Sequence, residues 1–270
     1  MPRPDNDLGY FGPASVTWRI HGNASMFIGG MRALLMQALH PRAMAGVEQH
    51  SDYREHPWRR LARTIEYVVI NTYGTTAQAD EAAANVRHIH RTVRGIDPVT
   101  GRPYAADDHD LLLWVHTGEV DSYLEAHRAY GPGLSDEDAD RYVAERVRSV
   151  ELLGLPPGRA PASIAELKRY IDSTAGELVF SDAARGVRDL VMNTPLRFPL
   201  NTPLRLPGAA AVVILPRFAR DLYRVRWPWP VDTGVRVTAK AACMTLGPFI
   251  PDGPLVRRAK RRARELQEVA

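Results

Sequence analysis

Residues 84–95 read ANVRHIHRTVRG, with His88 and His90 two positions apart among Arg87, Arg91 and Arg94. An imidazole can ligate a metal, move a proton or sit satisfied in a core, and the helix side it occupies decides which roles are open to it. Taking ~100° per residue and Val86 as zero, Ala79, Ala82, Ala83, Ile89 and Val93 fall within about 60°, and His90 at about 40°. His88 falls at about 200°, on the opposite side. A helix over this stretch therefore aims His90 into its own apolar stripe and His88 at solvent, and the pair cannot chelate one ion. Arg87 and Arg94 lie on the edge of the stripe, within about one turn of His90. Two readings stand. His90 is a core histidine bonded to a backbone carbonyl, with boundary arginines reaching outward. Alternatively it is one axial imidazole on an iron, with cations for the propionate carboxylates of a haem.

A second constellation lies upstream in HPWRRLARTIEYVVINTYG, residues 56–74. With Arg60 at zero, Thr64 lies at about 40°, Tyr67 at about −20° and Arg63 at about −60°, so one helix side is polar between Leu61 and Val68. It is either a solvated strip or a polar face over a buried cofactor or substrate, where Arg60, Arg63 and Thr64 could hydrogen-bond bound oxygen or a carboxylate. All nine histidines lie between positions 21 and 127, which confines the search for a site to the first half of the chain.

The elements that must hold these groups are helices. MFIGGMRALLMQALHPRAMAGVEQHS is strongly apolar and is bent or ended by Pro41. A helix starts at Pro57 and stops at Gly74, and a third, capped by Thr75 or Thr76, runs to Gly95. DPVTGRPY is a turn. A fourth helix ends at Gly131, a fifth starts behind Ser135 as N-cap, and two more span 163–178 and 181–193. The segment TPLRFPLNTPLRLPG, residues 194–208, reads as a connecting arm because its prolines oppose regular structure. Further helices are expected at 208–224, around 234–246 and at 254–268. No alternating pattern is long enough to build a sheet. The fold class is all-α: a single multi-helix globular domain over 13–256, behind a flexible N-terminus at 1–12 and before a basic C-terminal helix end at 257–270.

Composition narrows the chemistry. Cys243 is the single cysteine, so an intramolecular disulfide, a thiolate zinc cluster, an all-cysteine iron–sulfur site and the C-x-x-C-H route to covalent haem are excluded, and a cytoplasmic setting is expected. The longest apolar run, AAAVVIL at 209–215, is far short of a bilayer span. Net charge is +4, but RRAKRRAR at 257–264 holds six of the 35 basic residues. Without those six, 29 basic residues face 31 acidic ones, so the positive balance belongs to the tail. That run is a solvated face or a peripheral contact with anionic membrane; no recognition motif or aromatic platform points to nucleic acid. No dinucleotide, P-loop, nucleophile-elbow or zincin motif occurs.

Five segments in order, LLMQALHPRAMAG, RRLART, RHIHRTVRG, LLLWVHTGEVDSYLEAHRAYG and LSDEDADRYVAERVRSVELLGLP, resemble the DUF2236 family, which includes the latex-clearing rubber oxygenases and the fungal MpaB-type oxygenases. The resemblance covers roughly residues 13 to 160. It implies a mainly helical protein with non-covalent haem b that uses dioxygen on an unsaturated apolar small molecule, lipid or terpenoid-like. The family's R-x-x-H-x-x-x-R arrangement of the proximal histidine corresponds to Arg87, His90 and Arg94. Its distal R-x-x-K-T pattern is matched by Arg60 and Thr64, with Arg63 in the lysine position. A guanidinium stays protonated and cannot ligate iron, so a lysine-capped resting state does not carry over. Glu48 is the nearest candidate for the family's glutamate base. His40, in a His–Pro step, and His116, in WVHTG, match family positions and imply structural or supporting roles. The alternatives are a non-catalytic haem-binding or sensor protein and a cofactor-free helical hydrolase or scaffold.

Overall fold

In a computed structural model that describes residues 7–193 and 202–269, the described residues form thirteen α-helices, short 3-10 turns and one two-stranded sheet. The first half runs α1 (Val16–His21), α2 (Ser25–Ala38), α3 (Pro41–His50), α4 (Pro57–Tyr73), α5 (Thr76–His90), β1 (Arg94–Ile96), β2 (Pro103–Ala105) and α6 (His109–Tyr130). There follow α7 (Asp136–Glu151), α8 (Ile164–Thr174), α9 (Asp182–Met192), α10 (Thr202–Val213), α11 (Arg217–Leu222), α12 (Trp229–Leu246) and α13 (Pro254–Val269). The all-α expectation holds.

The core is built on α2 and α6, whose Leu35, Met36, Trp114 and Leu124 are fully buried. Gly29 lets the two helices touch: a Cβ there would stand 2.7 Å from Tyr123 Cδ1 and 3.1 Å from the Ser122 carbonyl oxygen. Arg32 locks the pair from inside. Its guanidinium pairs with Asp121 at 2.7 Å and donates to Ser122 Oγ at 2.7 Å and to the Ile214 carbonyl at 3.0 Å, so the buried charge is neutralised and its hydrogen bonds are met. Gly29→Ala is expected to lower stability by roughly 1–3 kcal/mol through overpacking at this contact. An unchanged denaturant midpoint would mean that α2 can give way without loss.

The helical hairpin of α4 and α5 positions the candidate site. α4 stops at Gly74, and Thr75, one of the two N-caps the sequence offered, caps α5 in a reciprocal box with Gln78. The short turn folds α5 back along α4, so the end of α5 returns to the beginning of α4. Asp7 and Tyr10, within the stretch read as a flexible N-terminus, fasten to α5: Asp7 accepts from Thr76 N at 2.7 Å and Tyr10 donates to Asp80 at 2.6 Å.

Three elements differ from expectation. α5 ends at His90, not at Gly95, because the chain turns into β1, where Gly95 stands opposite Tyr104. A Cβ on Gly95 would lie 2.6 Å from Tyr104 Oη, so this strand crossing requires glycine. Asp97 is fully buried and accepts the backbone N–H groups of Val99 and Thr100, which closes the loop between β1 and β2. The expected connecting arm is the third difference: residues 194–201 lie outside the described residues, but Thr202–Val213 is helical with Pro207 inside it. Burial of Ala210, Ala211 and Val212 in the core outweighs the local cost of the proline. Pro216 then separates α11, and α1 is an additional short helix capped by Ser15.

Candidate functional site

His90 closes α5, half-buried, and His88 is exposed on the other side of the helix. The predicted facing is therefore present for both rings, although Ile89, assigned to the apolar stripe, is 49% exposed. His88 is occupied at the surface by Arg91, at 3.3 Å. His90 Nδ1 is buried and has no hydrogen-bond partner. Burial lowers the His90 pKa, Asp107 opposes that shift, and Arg60 adds to it. The ring is thus disposed to be neutral, the state a metal-ligating imidazole requires.

The charge that bears on this ring from α4 is that of Arg60. Arg60 is half-buried, burial lowers its pKa, and its guanidinium has no hydrogen-bond or ion-pair partner among the described residues. A desolvated cation without a partner invites a carboxylate or another negative oxygen. Arg87 and Arg94, expected as the cations on either side of His90, are engaged elsewhere. Arg87 donates to the Leu152 carbonyl at the end of α7, and Arg94 pairs with Asp107 at 2.8 Å. Arg94 also lies on β1 beyond the helix end, so the single-helix geometry that placed it beside His90 does not apply. The cation left open toward His90 is Arg60.

Arg63 and Thr64 are exposed, and the Thr64 hydroxyl donates back to the Arg60 carbonyl at 3.2 Å. Glu48, on α3, accepts from the Tyr53 hydroxyl and from Arg54 Nε at 3.0 Å. Burial holds the Tyr53 phenol far above its ordinary value, Glu48 adds to this, and Arg54 and Arg60 oppose it. Glu48 also borders a cleft of about 720 Å³ together with Met44, Asp97 and Phe180. His40 is a structural cap: its Nδ1 accepts from Ala43 N at 3.3 Å at the start of α3, and its ring packs on Trp114 with centroids 5.9 Å apart. The proline step thus uses the imidazole as an acceptor for a helix N–H.

Deeper along α4 lies a polar interior that the sequence reading did not assemble. Asn71 accepts from Ser149 Oγ at 2.7 Å and from Arg146 Nη1 at 3.4 Å, and Arg146 pairs with Glu119 at 2.9 Å. Tyr67 Oη, Asn71 Nδ2 and Arg146 Nε remain buried donors without partners. Burial pushes the Glu119 carboxyl up against the pull of Arg146. Polar Asn71 and Thr72 inside the otherwise apolar VVINTY were the available signal.

His116 joins this interior from α6, its pKa lowered to about 3 by burial and then by Arg146. His127, with both ring nitrogens buried and unpartnered, is lowered to about 4 by burial and then by Arg19. An unfolded histidine titrates near ~6.5, so the unfolded chain takes up these protons first. Stability from both groups is complete above that value and is lost as pH falls toward about 4 and then about 3. At pH ~5.5 the expected loss is about 1 kcal/mol per histidine. A melting temperature unchanged between neutral pH and pH ~4.5 would contradict it.

Among the described residues no three His, Cys, Asp or Glu side chains come together as a metal-binding group, so His90 offers one imidazole with a nearby cation. A b-type haem would be held there by the His90 imidazole, with Arg60 as a cation for a carboxylate. None of the described helices is long and apolar enough to cross a membrane.

The family model for "ER-bound oxygenase mpaB/B'/Rubber oxygenase, catalytic domain" matches residues 18–246. Two mycobacterial proteins, uncharacterized protein Mb2261 of Mycobacterium bovis and uncharacterized protein Rv2237 of Mycobacterium tuberculosis, are each 29% identical to this chain over 151 residues. The match takes in 53% of this chain and 58% of each relative, so it spans less than two thirds of their length. No solved structure matches the chain.

Proposed function

The chain belongs to the family of mpaB/B' and rubber oxygenase catalytic domains, and from that premise we propose that it is a b-type haem-dependent oxygenase acting with dioxygen on an unsaturated apolar small molecule. The observation that carries the reading is His90, with a buried, partnerless Nδ1 and its pKa lowered by burial, close to the unpaired Arg60. His90 would hold the iron of the haem through its imidazole. A haem bound there would supply the iron chemistry for oxidation of a carbon–carbon double bond with dioxygen. Arg60 supplies a fixed positive charge for a carboxylate or for negative charge developing on oxygen, in a partly desolvated setting where such a charge acts strongly. Thr64, one turn on, presents its hydroxyl lone pairs outward while its proton is held by the Arg60 carbonyl. Arg87 and Arg94 brace the hairpin end through Leu152 and Asp107.

Protein produced with adequate haem supply is expected to show a Soret band at near-stoichiometric haem content. A protein that stays colourless after haem reconstitution removes the proposal. Acidification should release the haem as His90 is protonated, and because burial depresses that pKa, release is expected below the ordinary histidine range. A Soret band unchanged in strong acid would argue for another ligand. One observation favours a second reading, haem binding without turnover: Arg63 and Thr64 are exposed. Oxygen consumption with unsaturated isoprenoid substrates separates the two.

A further inference from the structure

The end of α12 carries an apolar tip that none of the described elements covers. Leu246 is 63% exposed, Phe249 84% and Ile250 63%. Val237 and Met244, seven positions apart and thus on one face of α12, are exposed as well. Large apolar side chains exposed singly are ordinary, but three within five positions at the tip of a turn, Leu246, Phe249 and Ile250, make a patch.

The basic α13 begins at Pro254, so its first turn lies within about 14 Å of Ile250 along the chain. On α13, Arg257, Arg261 and Arg264 fall within about 60° of one another and Arg258 about 100° from the first. All four are exposed. The opposite side of the helix is anchored: Ala259 and Ala263 are buried with Trp18 and Tyr73. The acidic group between tip and helix, Asp252, is neutralised by Lys260 at 2.8 Å. The basic run is therefore not solvated all round. One side is fixed to the body of the protein and the other presents an arginine row, in which Arg261 also pairs with Glu265 at 3.7 Å, a few residues along the chain from an apolar tip.

An anionic bilayer surface has the complementary layering. Its headgroups attract arginines, and the acyl boundary just beneath takes up apolar side chains. We propose that this face docks on an anionic membrane surface, with Phe249 and Ile250 inserted at the acyl boundary and Arg257, Arg258 and Arg261 set over phosphate and carboxylate headgroups. This docking is independent of the haem reading, since no group of the His90 site takes part.

The test is cosedimentation of the full chain with phosphatidylcholine–phosphatidylserine vesicles and with phosphatidylcholine vesicles. Binding is expected to the anionic vesicles, with release as salt is raised. The triple variant Arg257→Glu, Arg258→Glu, Arg261→Glu should reduce partitioning at least about tenfold. Phe249→Ala with Ile250→Ala should reduce it about fivefold. Unchanged far-ultraviolet circular dichroism and haem content in both variants would keep these results separate from misfolding. The proposal is overturned if anionic vesicles are not bound, if neutral vesicles are bound equally well, or if neither variant affects binding. It is also overturned if sedimentation velocity shows a dimer that the Phe249→Ala, Ile250→Ala variant dissociates, because the tip would then be a contact between copies of this chain.

Discussion

His90→Ala is expected to abolish stoichiometric haem binding, and His88→Ala to leave it nearly intact. The two residues are chemically identical and two positions apart, so the contrast isolates facing alone. His88 is exposed and already in contact with Arg91 at 3.3 Å. His90 is half-buried, with an Nδ1 from which water is excluded and to which no protein group is bonded. An orphaned buried nitrogen costs about 1–3 kcal/mol in desolvation. Removing the imidazole that would hold the iron should eliminate the Soret band of purified protein, and exogenous imidazole should restore part of it by occupying the vacated space. His90→Ala should not unfold the chain, because the ring makes no hydrogen bond through its buried nitrogen. Equal haem loss in both variants, or in neither, would remove the facial assignment and with it the ligand.

What was legible beforehand follows the range of the interactions involved. The starts of α5 and α7 were readable because a cap is a local contract: Thr75 with Gln78 and Ser135 with Asp138 are three residues apart. The facing of His88 and His90 was readable because helix periodicity is equally local. The end of α5 was not, because what stops it is Tyr104 meeting Gly95 across a strand pair. Helix α10 runs through Pro207 for a similar reason, its far end being buried in the core. The same division runs through the site. That the charge of Arg60 bears on His90 follows from a hairpin whose turn, at Gly74 and Thr75, is visible in the sequence. That Arg87 and Arg94 are occupied does not, since the carbonyl of Leu152 and the carboxylate of Asp107 arrive from other elements. Asn71, Glu119 and Arg146 come from three helices and carry no common motif.

Arg60→Ala is expected to slow substrate turnover by about 10²- to 10³-fold, the loss typical of removing one preorganised donor from a site where negative charge develops on oxygen. Haem content should fall far less, because the imidazole stays. The structure separates Arg60 from its neighbours on the polar face. Its guanidinium is half-buried, has no partner among the described residues, and lies near enough to His90 to depress the pKa of that ring. Arg63 is exposed, so its positive end is screened by solvent. The proton of the Thr64 hydroxyl is committed to the Arg60 carbonyl at 3.2 Å, which leaves that side chain only as an acceptor. Thr64→Val should therefore slow turnover less than about tenfold, the scale of one modest neutral hydrogen bond. Arg60→Lys distinguishes charge from geometry: an ammonium keeps the positive end but loses the planar fork, so it should recover only part of the rate if oxygen or a carboxylate is held by two parallel bonds. The pH at which haem is released gives a check that does not depend on turnover. Without the Arg60 charge the His90 imidazole protonates more readily, so acid release in Arg60→Ala should move to higher pH, while in Thr64→Val it should stay where it is. Turnover and release pH both unchanged in Arg60→Ala would place the reacting oxygen elsewhere than beside α4, and would favour haem binding without catalysis.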